Sequence, residues 1–218
     1  MKKILLFIAA FSITATIYGQ SFFGGLIIGG NTSQIGGDNR GGYHKLGLTG
    51  GAFAGLNITD DLDVQMELKY IQKGSLSNDV ENNPLYDPFL IKLDYVDLPI
   101  VLGYNLNKIN INDSNLKWLK LEFGISFDFL ISAYQEINGW SSRKIEPWNK
   151  MVVNTVIGAR FNVVKNIEIG LRFIDAMSSI CKTTIDPYNN GNVKYVRRVF
   201  GDYGMFNDVL QLAIFWKI

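Results

Sequence analysis

Hydrophobic and polar residues alternate along many segments of the chain, most regularly between residues 62 and 72. Apolar and polar or charged side chains take turns over nine positions: Leu62, Asp63, Val64, Gln65, Met66, Glu67, Leu68, Lys69 and Tyr70. Successive side chains of a β-strand point to opposite faces, so this pattern predicts a strand with one apolar and one charged face. A helix would distribute the same charges around its whole circumference.

The same period of two recurs and predicts eight strands in sequence order. They cover residues 22–32, 46–58, 62–72, 89–104, 119–133, 151–161, 167–173 and 210–218. In the fourth strand the apolar positions change phase near Tyr95 and Val96, which predicts a β-bulge there.

The connections between these strands differ in length in a regular way. Residues 33–44, 73–88, 134–150 and 175–203 form long connections, and shorter ones separate them. In a meander with both termini on one side, every long connection falls on the opposite side. Short turns at one end and long loops at the other are typical of transmembrane barrels.

The alternation leaves open which face looks inward. If the apolar faces contact lipid, charged residues of both signs line the lumen and can neutralise one another, because an unpaired buried charge is costly. This predicted lumen charge network comprises the acids Asp63, Glu67, Asp97, Glu122, Asp128 and Glu168, and the bases Lys69, Lys120, Arg160, Arg172 and Lys217. With the opposite orientation the chain would be a soluble, ligand-carrying barrel.

Three features favour lipid. One face of residues 119–131 is apolar at seven alternate positions, the opposite faces are rich in Gly, Ser and Asn, and the chain ends in its last strand near Phe215 and Trp216. We therefore predict an all-β fold over residues 20–218: an eight-stranded antiparallel up-and-down transmembrane β-barrel with long extracellular loops.

The N-terminus has the layout of a secretory signal peptide. Met1, Lys2 and Lys3 precede a mostly apolar segment, residues 4–17, and Gly19 provides a small residue at the expected cleavage site. The apolar segment is shorter than the roughly 20 residues of a spanning helix. We predict a signal peptide over residues 1–19.

Composition offers little for catalysis. The net charge of +1 provides no strong field for nucleic acid, and the single Cys181 and single His44 exclude an intrachain disulfide and a two-imidazole site. His44 could act as a base near Ser33 or Asp38, and Asp63 with Glu67 could form a carboxylate pair. The alternatives are that His44 is an ordinary loop histidine, and that Asp63 and Glu67 form salt bridges with Lys69 and Arg160. We expect no enzyme, no cofactor and no metal.

Aromatic residues are frequent in the predicted loops. They are Trp140, Trp148, Tyr188 and Tyr195. They could form a binding patch on the outer loops, or they could belong to the aromatic belts that line membrane interfaces.

Several stretches resemble a known family, the PorT-like outer-membrane β-barrels of Gram-negative bacteria (outer membrane protein beta-barrel domain). They are GGNTSQ, LNITDDLDVQMELKYIQKGS, YVDLPIVLGYNL, FGISFDFLISAY, VIGARFNV and VLQLAIFWKI. The resemblance implies contact with outer-membrane lipid and recognition by the outer-membrane assembly machinery. Such barrels usually end on an aromatic residue, whereas this chain ends on Ile218.

Eight strands enclose a lumen just wide enough for side chains to fill. We therefore expect a monomeric barrel plugged by its own side chains, with a structural or interaction role through loops that contact envelope or extracellular proteins. The alternative is a transport role, as a small pore or as an accessory barrel of a secretion system, which the family name suggests.

Overall fold

A computed structural model describes residues 21–38, 42–77, 89–106, 110–111, 114–137, 140–145, 147–181, 196–197 and 203–218. The predicted signal peptide, residues 1–19, lies outside these ranges, as do Tyr188 and Tyr195. None of the described residues forms a helix long and apolar enough to cross a membrane.

Eight long strands form one closed antiparallel sheet, which confirms the predicted barrel. They are β1 (Phe22–Gly36), β2 (Lys45–Asn57), β3 (Leu62–Ser77), β4 (Phe89–Asn105), β5 (Leu119–Ile137), β6 (Met151–Val164), β7 (Ile167–Ala176) and β8 (Phe206–Lys217). Each strand pairs with its neighbours in sequence. Pairing of β1 with β8, from Gly25 opposite Lys217 to Gly36 opposite Phe206, closes the barrel and removes its open edges.

The two ends of the barrel differ. The loop end carries the connections 37–44, 78–88, 138–150 and 177–205, whereas the turn end carries the connections 58–61, 106–118 and 165–166. Short strands add to both ends. Asn110–Ile111 pairs with Ser114–Asn115, Trp140–Ser142 extends β5, and Val196–Arg197 pairs with Tyr203–Gly204.

Several strands extend further toward the loop end than predicted. β1 continues to Gly36, β3 to Ser77 and β5 to Ile137, through segments that were expected to be loops. Their Gly and Ser residues suggest turns, but neighbouring strands supply hydrogen-bond partners for the backbone throughout. Tertiary pairing therefore overrides local turn propensity at this end.

A β-bulge occurs beside Tyr95 as predicted, but its extra residue belongs to β5 and not to β4. β4 keeps a single phase, with Phe89, Tyr95 and Val101 all buried on its inner face. The register shift occurs where Asp94 pairs with Ser132 and Tyr95 with Leu130, which leaves Ile131 of β5 as the extra residue. The positions of β4 that face the lumen therefore stay the same along the strand. What changes is their chemistry, from apolar residues up to Tyr95 to the charged Asp97.

The orientation of the faces is that of a membrane barrel. On β3, Met66 and Leu68 are each 58% exposed, whereas Glu67 between them is 1% exposed. On β5, Phe123 is 58% exposed and Glu122 is 3% exposed. An apolar outer surface and a charged interior invert the arrangement of a soluble barrel, so the lipid-facing orientation holds.

Large aromatic side chains also surround the outer surface at the turn end. Phe22, Tyr104, Trp118 and Trp216 are between 46% and 71% exposed, and the Trp118 ring stacks on Phe161 at a centroid distance of 5.7 Å. Such a girdle marks the level of the membrane–water interface.

The interior has layers. Toward the loop end it is largely apolar, with fully buried side chains that include Ile71, Ile91, Leu93, Tyr95, Val152, Val156, Ile174, Phe206 and Val209. A small second cluster of Ile27, Phe53, Ala213 and Phe215 packs on the β1–β2–β8 side. Most charges of the lumen network lie nearer the turn end. The buried Lys73, however, lies between Ile71 and Ser75 at the level of the apolar layer, and Lys45 and Asp208 are also buried toward the loop end. The apolar layer was not anticipated in the sequence analysis.

We predict that Phe123→Arg destabilises the barrel by about 2–4 kcal/mol, because it places a charge on the lipid face of β5 in the membrane interior. Denaturant unfolding of the protein in lipid vesicles measures this loss. Phe123→Leu, which stays apolar, is the control and should remain within about 1.5 kcal/mol of the parent. Equal stability of Phe123→Arg and the parent would contradict the outward orientation.

Candidate functional site in the barrel lumen

Arg172 of β7 lies at the centre of the lumen charge network. Its Nη1 and Nη2 atoms donate to the two carboxylate oxygens of Glu67 on β3, at 2.8 and 2.7 Å. Its Nε and Nη2 atoms donate to Glu122 on β5, at 2.7 and 3.0 Å. Arg172 is 1% exposed. The planar guanidinium thus connects three strands through two bidentate contacts, which are the strongest protein ion pairs.

Arg160 of β6 forms the second centre, toward the turn end. Its Nη1 donates to Glu168 at 3.0 Å and to Gln65 at 3.1 Å, and its Nη2 pairs with Glu122. The guanidinium also lies 3.8 Å from the centroid of the Phe215 ring. Glu122 is therefore shared by both arginines, and an aromatic face covers the side of Arg160 that carboxylates leave free.

Two inward-facing glycines provide room for these large groups. A Cβ atom at Gly158 would lie 2.7 Å from Cγ of Arg172, and one at Gly170 would lie 2.6 Å from a ring carbon of Phe215. Both distances are shorter than real Cβ contacts allow. Glycine is therefore required here by close packing in a narrow lumen.

The remaining predicted bases pair along the same strands. Lys120 contacts Asp63 at 2.6 Å, Lys69 lies 3.2 Å from Glu67 and 3.4 Å from Asp97, and Lys217 pairs with Glu168. The side chain of Lys217 is 30% exposed and marks the turn-end edge of the network.

Lys73 belongs to the same cluster but was missed, because the sequence placed it in a loop. Its side chain is fully buried, and Nζ lies 2.5 Å from Oδ2 of Asp128. Its inward direction continues the odd-numbered row of Asp63, Gln65, Glu67, Lys69 and Ile71, so extending the alternation by two residues would have found it. Lys73 raises the number of bases from five to six and balances the six acids.

Asp97 and Asp128 face each other directly across β4 and β5, and both are fully buried. Like charges at directly opposed positions repel. Lys69 and Lys73 of β3 counter this repulsion, one lysine for each carboxylate. The second lysine therefore provides Asp128 with a partner of opposite charge next to Asp97.

The two carboxylates that were considered as a catalytic pair, Asp63 and Glu67, bind different bases. His44 is exposed near the loop end, Asp63 pairs with Lys120, and Glu67 pairs mainly with Arg172. Within the described ranges, no group of three or more His, Cys, Asp or Glu side chains is placed to hold a metal ion.

The loop aromatics separate into two environments. Trp148, predicted to lie in a binding patch or a membrane belt, is instead 5% exposed and packs in the apolar layer. The backbone beside it is tied to the 177–181 segment, since Asn149 donates to the carbonyl of Ile180 at 2.8 Å. That prediction was wrong for Trp148, because the connection folds over the barrel end and needs an apolar anchor.

Trp140 is 84% exposed, on the short strand that extends β5. Arg143 follows it and lies 5.5 Å from the ring centroid of Tyr134. The Tyr134 hydroxyl donates to Glu136 at 2.7 Å. The projecting segment thus combines an exposed aromatic ring with basic side chains.

We predict that Lys73→Met destabilises the barrel by about 3–5 kcal/mol, because it leaves Asp128 buried, unpaired and opposite Asp97. Denaturant unfolding in vesicles provides the measurement. A second change, Asp128→Asn, should restore most of the lost stability in the Lys73→Met background.

Lys92→Met is the matched control for this prediction. Lys92 points outward on β4 and its side chain is 39% exposed, with Nζ 3.9 Å from Asp94. An exposed pair of this kind contributes at most about 1 kcal/mol. Equal effects of the two lysine variants would contradict the assigned role of Lys73.

The chain is similar in fold to three solved structures of two bacterial proteins. Ail, the attachment invasion locus protein of Yersinia pestis, shares 12% identity with a TM-score of 0.49, covering 90% of this chain and 98% of Ail. Ail in complex with the heparin analogue sucrose octasulfate gives 11% identity, coverages of 91% and 99%, and a TM-score of 0.47. Neisserial surface protein A shares 12% identity with a TM-score of 0.48, covering 92% of this chain and 99% of that protein.

None of the curated proteins compared with the chain matches it significantly. A family model is informative instead. The model described as outer membrane protein beta-barrel domain matches residues 19–181, which is most of the chain. This match agrees with the closed barrel, its apolar outer surface and its long loops at one end. The chain therefore belongs to the outer membrane protein beta-barrel domain family, and its barrel spans the outer membrane of a Gram-negative bacterium.

Proposed function

We propose that this protein is a non-enzymatic, monomeric outer-membrane barrel whose lumen is plugged by its own side chains and whose extracellular loops bind protein partners. The observation that carries the proposal is the closed network of Arg172, Glu67 and Glu122, in which all three side chains are almost fully buried. A lumen held by such contacts favours a structural and display role over transport.

The paired charges oppose ion passage. An ion crossing the lumen would have to separate Arg172 from two carboxylates, or Lys73 from Asp128, within a site that water does not reach. Breaking a buried pair costs about 3–5 kcal/mol. Several such pairs lie at successive levels, so the cost recurs along the path.

The apolar layer adds a second barrier toward the loop end. Ile91, Val156 and Phe206 from different strands converge there and are fully buried. Apolar side chains cannot replace the hydration of an ion that leaves the charged zone, although buried polar residues such as Asn154 and Asn207 lie among them. The two layers together support a plug formed by side chains from every part of the barrel wall.

The loop end offers the interaction surface. Trp140, Arg143 and Lys144 are exposed and lie beyond the membrane-spanning part of β5. Aromatic and arginine side chains are the residues most often found at the energetic centres of protein interfaces. We propose that partners bind at this projecting segment.

The cleaved signal peptide of residues 1–19, the PorT-like assignment and recognition by the assembly machinery remain predictions. The alternative function, a small pore or secretion-system accessory, requires a lumen that opens or a partner that binds elsewhere on the barrel.

Single-channel recording in planar bilayers tests the proposal. We predict that the parent shows no long-lived openings. A variant with Glu67, Glu122, Arg160 and Arg172 all changed to Ala should conduct, because it removes two acids and two bases from the middle of the lumen. Lys69 keeps Asp97 as a partner, and Glu168 keeps Lys217. Large, stable openings of the parent would overturn the plug and favour the pore.

A second experiment separates the interaction role from the secretion role. Crosslinking on intact cells should capture partners of the parent and lose them with Trp140→Ala and Arg143→Ala combined. Lys165→Ala, a basic exposed residue at the turn end, is the matched control. Partners lost only with the turn-end variant would indicate a periplasmic accessory role instead.

A further inference from the structure

A groove crosses the lipid-facing surface of the barrel near the loop end, outside the lumen. It has a volume of about 530 Å³. Gly30 and Thr32 of β1 form its floor, and leucines of β2, β7 and β8 form its walls. The polar residues Asn31 and Gln211 also border it, but both are buried. Nothing in the proposed function uses this surface.

Strand register explains the shape of the groove. Gly30 lies between Leu48 of β2 and Leu212 of β8, and Thr32 lies between Leu46 and Leu210 in the next outward row. The floor is therefore a single strand wide, and large side chains stand on both sides. Leu48 is 66% exposed and Leu212 is 58% exposed, so the walls project from the barrel.

The groove is apolar to its floor. The only hydroxyl among the floor side chains, that of Thr32, donates to the carbonyl oxygen of Tyr43. It is therefore engaged within the protein. A ligand in the groove would meet aliphatic carbon and glycine backbone, which suits a hydrocarbon chain.

Packing does not account for the glycine at position 30. At the lumen-facing Gly29, a Cβ atom would lie 2.3 Å from the carbonyl oxygen of Leu212, so glycine is required there. At Gly30 the nearest atom, the carbonyl oxygen of Gly47, is 3.5 Å away, which is an ordinary contact. Gly30 also lies outside the left-handed backbone region. Glycine weakens a strand interior and often marks a close approach by a ligand.

We propose that this groove binds one acyl chain of an outer-leaflet membrane lipid. It is continuous with the lipid-contacting surface and lies in the half of the barrel nearer the extracellular loops. A second barrel would present a broad, convex wall of strands about 4.8 Å apart, which does not fit a floor one strand wide. A single hydrocarbon chain fits both the width and the apolar lining.

Native mass spectrometry of the barrel released from palmitoyl-oleoyl phosphatidylethanolamine nanodiscs tests the proposal. The parent should retain one lipid under conditions that strip the rest. Gly30→Leu fills the floor and should lower the retained fraction about tenfold, since blocking contact with two methylenes is sufficient for such a change. Because a Cβ atom has room there, this variant should unfold at no lower temperature than the parent.

Ala54→Leu is the matched control, because Ala54 is also exposed on the outer face of β2 but lies outside the groove. It should retain lipid as the parent does. Leu212→Ala removes a wall instead of filling the floor, and should also lower retention, which keeps the test valid if Gly30→Leu does not fold.

Equal lipid retention by the parent, Gly30→Leu and Leu212→Ala would overturn the proposal. So would a dimer of the parent that Gly30→Leu abolishes, because a second copy would then be the occupant. Neither result bears on lumen conductance or loop binding, so the test is independent of the plug and of the loop partners. A dimer would also contradict the proposed monomeric state.

Discussion

The two bidentate salt bridges of Arg172, with Glu67 and with Glu122, organise the interior of this barrel. A guanidinium can be buried only if its hydrogen-bond donors and its charge are both satisfied, and here two carboxylates from different strands do so. Arg160 then shares Glu122 and adds Glu168, so the network joins β3, β5, β6 and β7. Inward glycines such as Gly158 follow from this demand for space.

The apolar outer surface and the balanced charges of the lumen follow from the same constraint. In the outer membrane the barrel wall must be apolar outside, so polar residues of each alternating strand must point inward and find partners there. Six acids and six bases meet this requirement once Lys73 is included. Among the residues that the structure describes, the surfaces that we propose for recognition are the loop segment around Trp140 and the lipid-facing wall around Gly30.

Much of the architecture was readable from the sequence, because a period of two is a direct record of which side chains face in and out. Glu67 and Arg172 could be placed inside the barrel in this way, but their pairing could not, since register across non-adjacent strands leaves no local signal. Lys73 was misplaced because the Gly and Ser residues that follow it suggested a loop. Trp148 does lie in a connection, but it is buried and was expected at the surface. The bulge at Ile131 was assigned to β4 because a switch from charged to apolar lumen residues resembles a change of phase.

A double-mutant cycle on Arg172→Met and Glu67→Gln, measured by denaturant unfolding in lipid vesicles, tests the central claim most directly. We predict a coupling free energy toward the upper end of the roughly 0.5–3 kcal/mol range, because each single change leaves a buried partner without this contact and the double change removes both partners. Arg172→Lys should recover little, since an ammonium cannot form the two forked contacts. Additive effects, within about 0.5 kcal/mol, would show that the pair does not hold the lumen together.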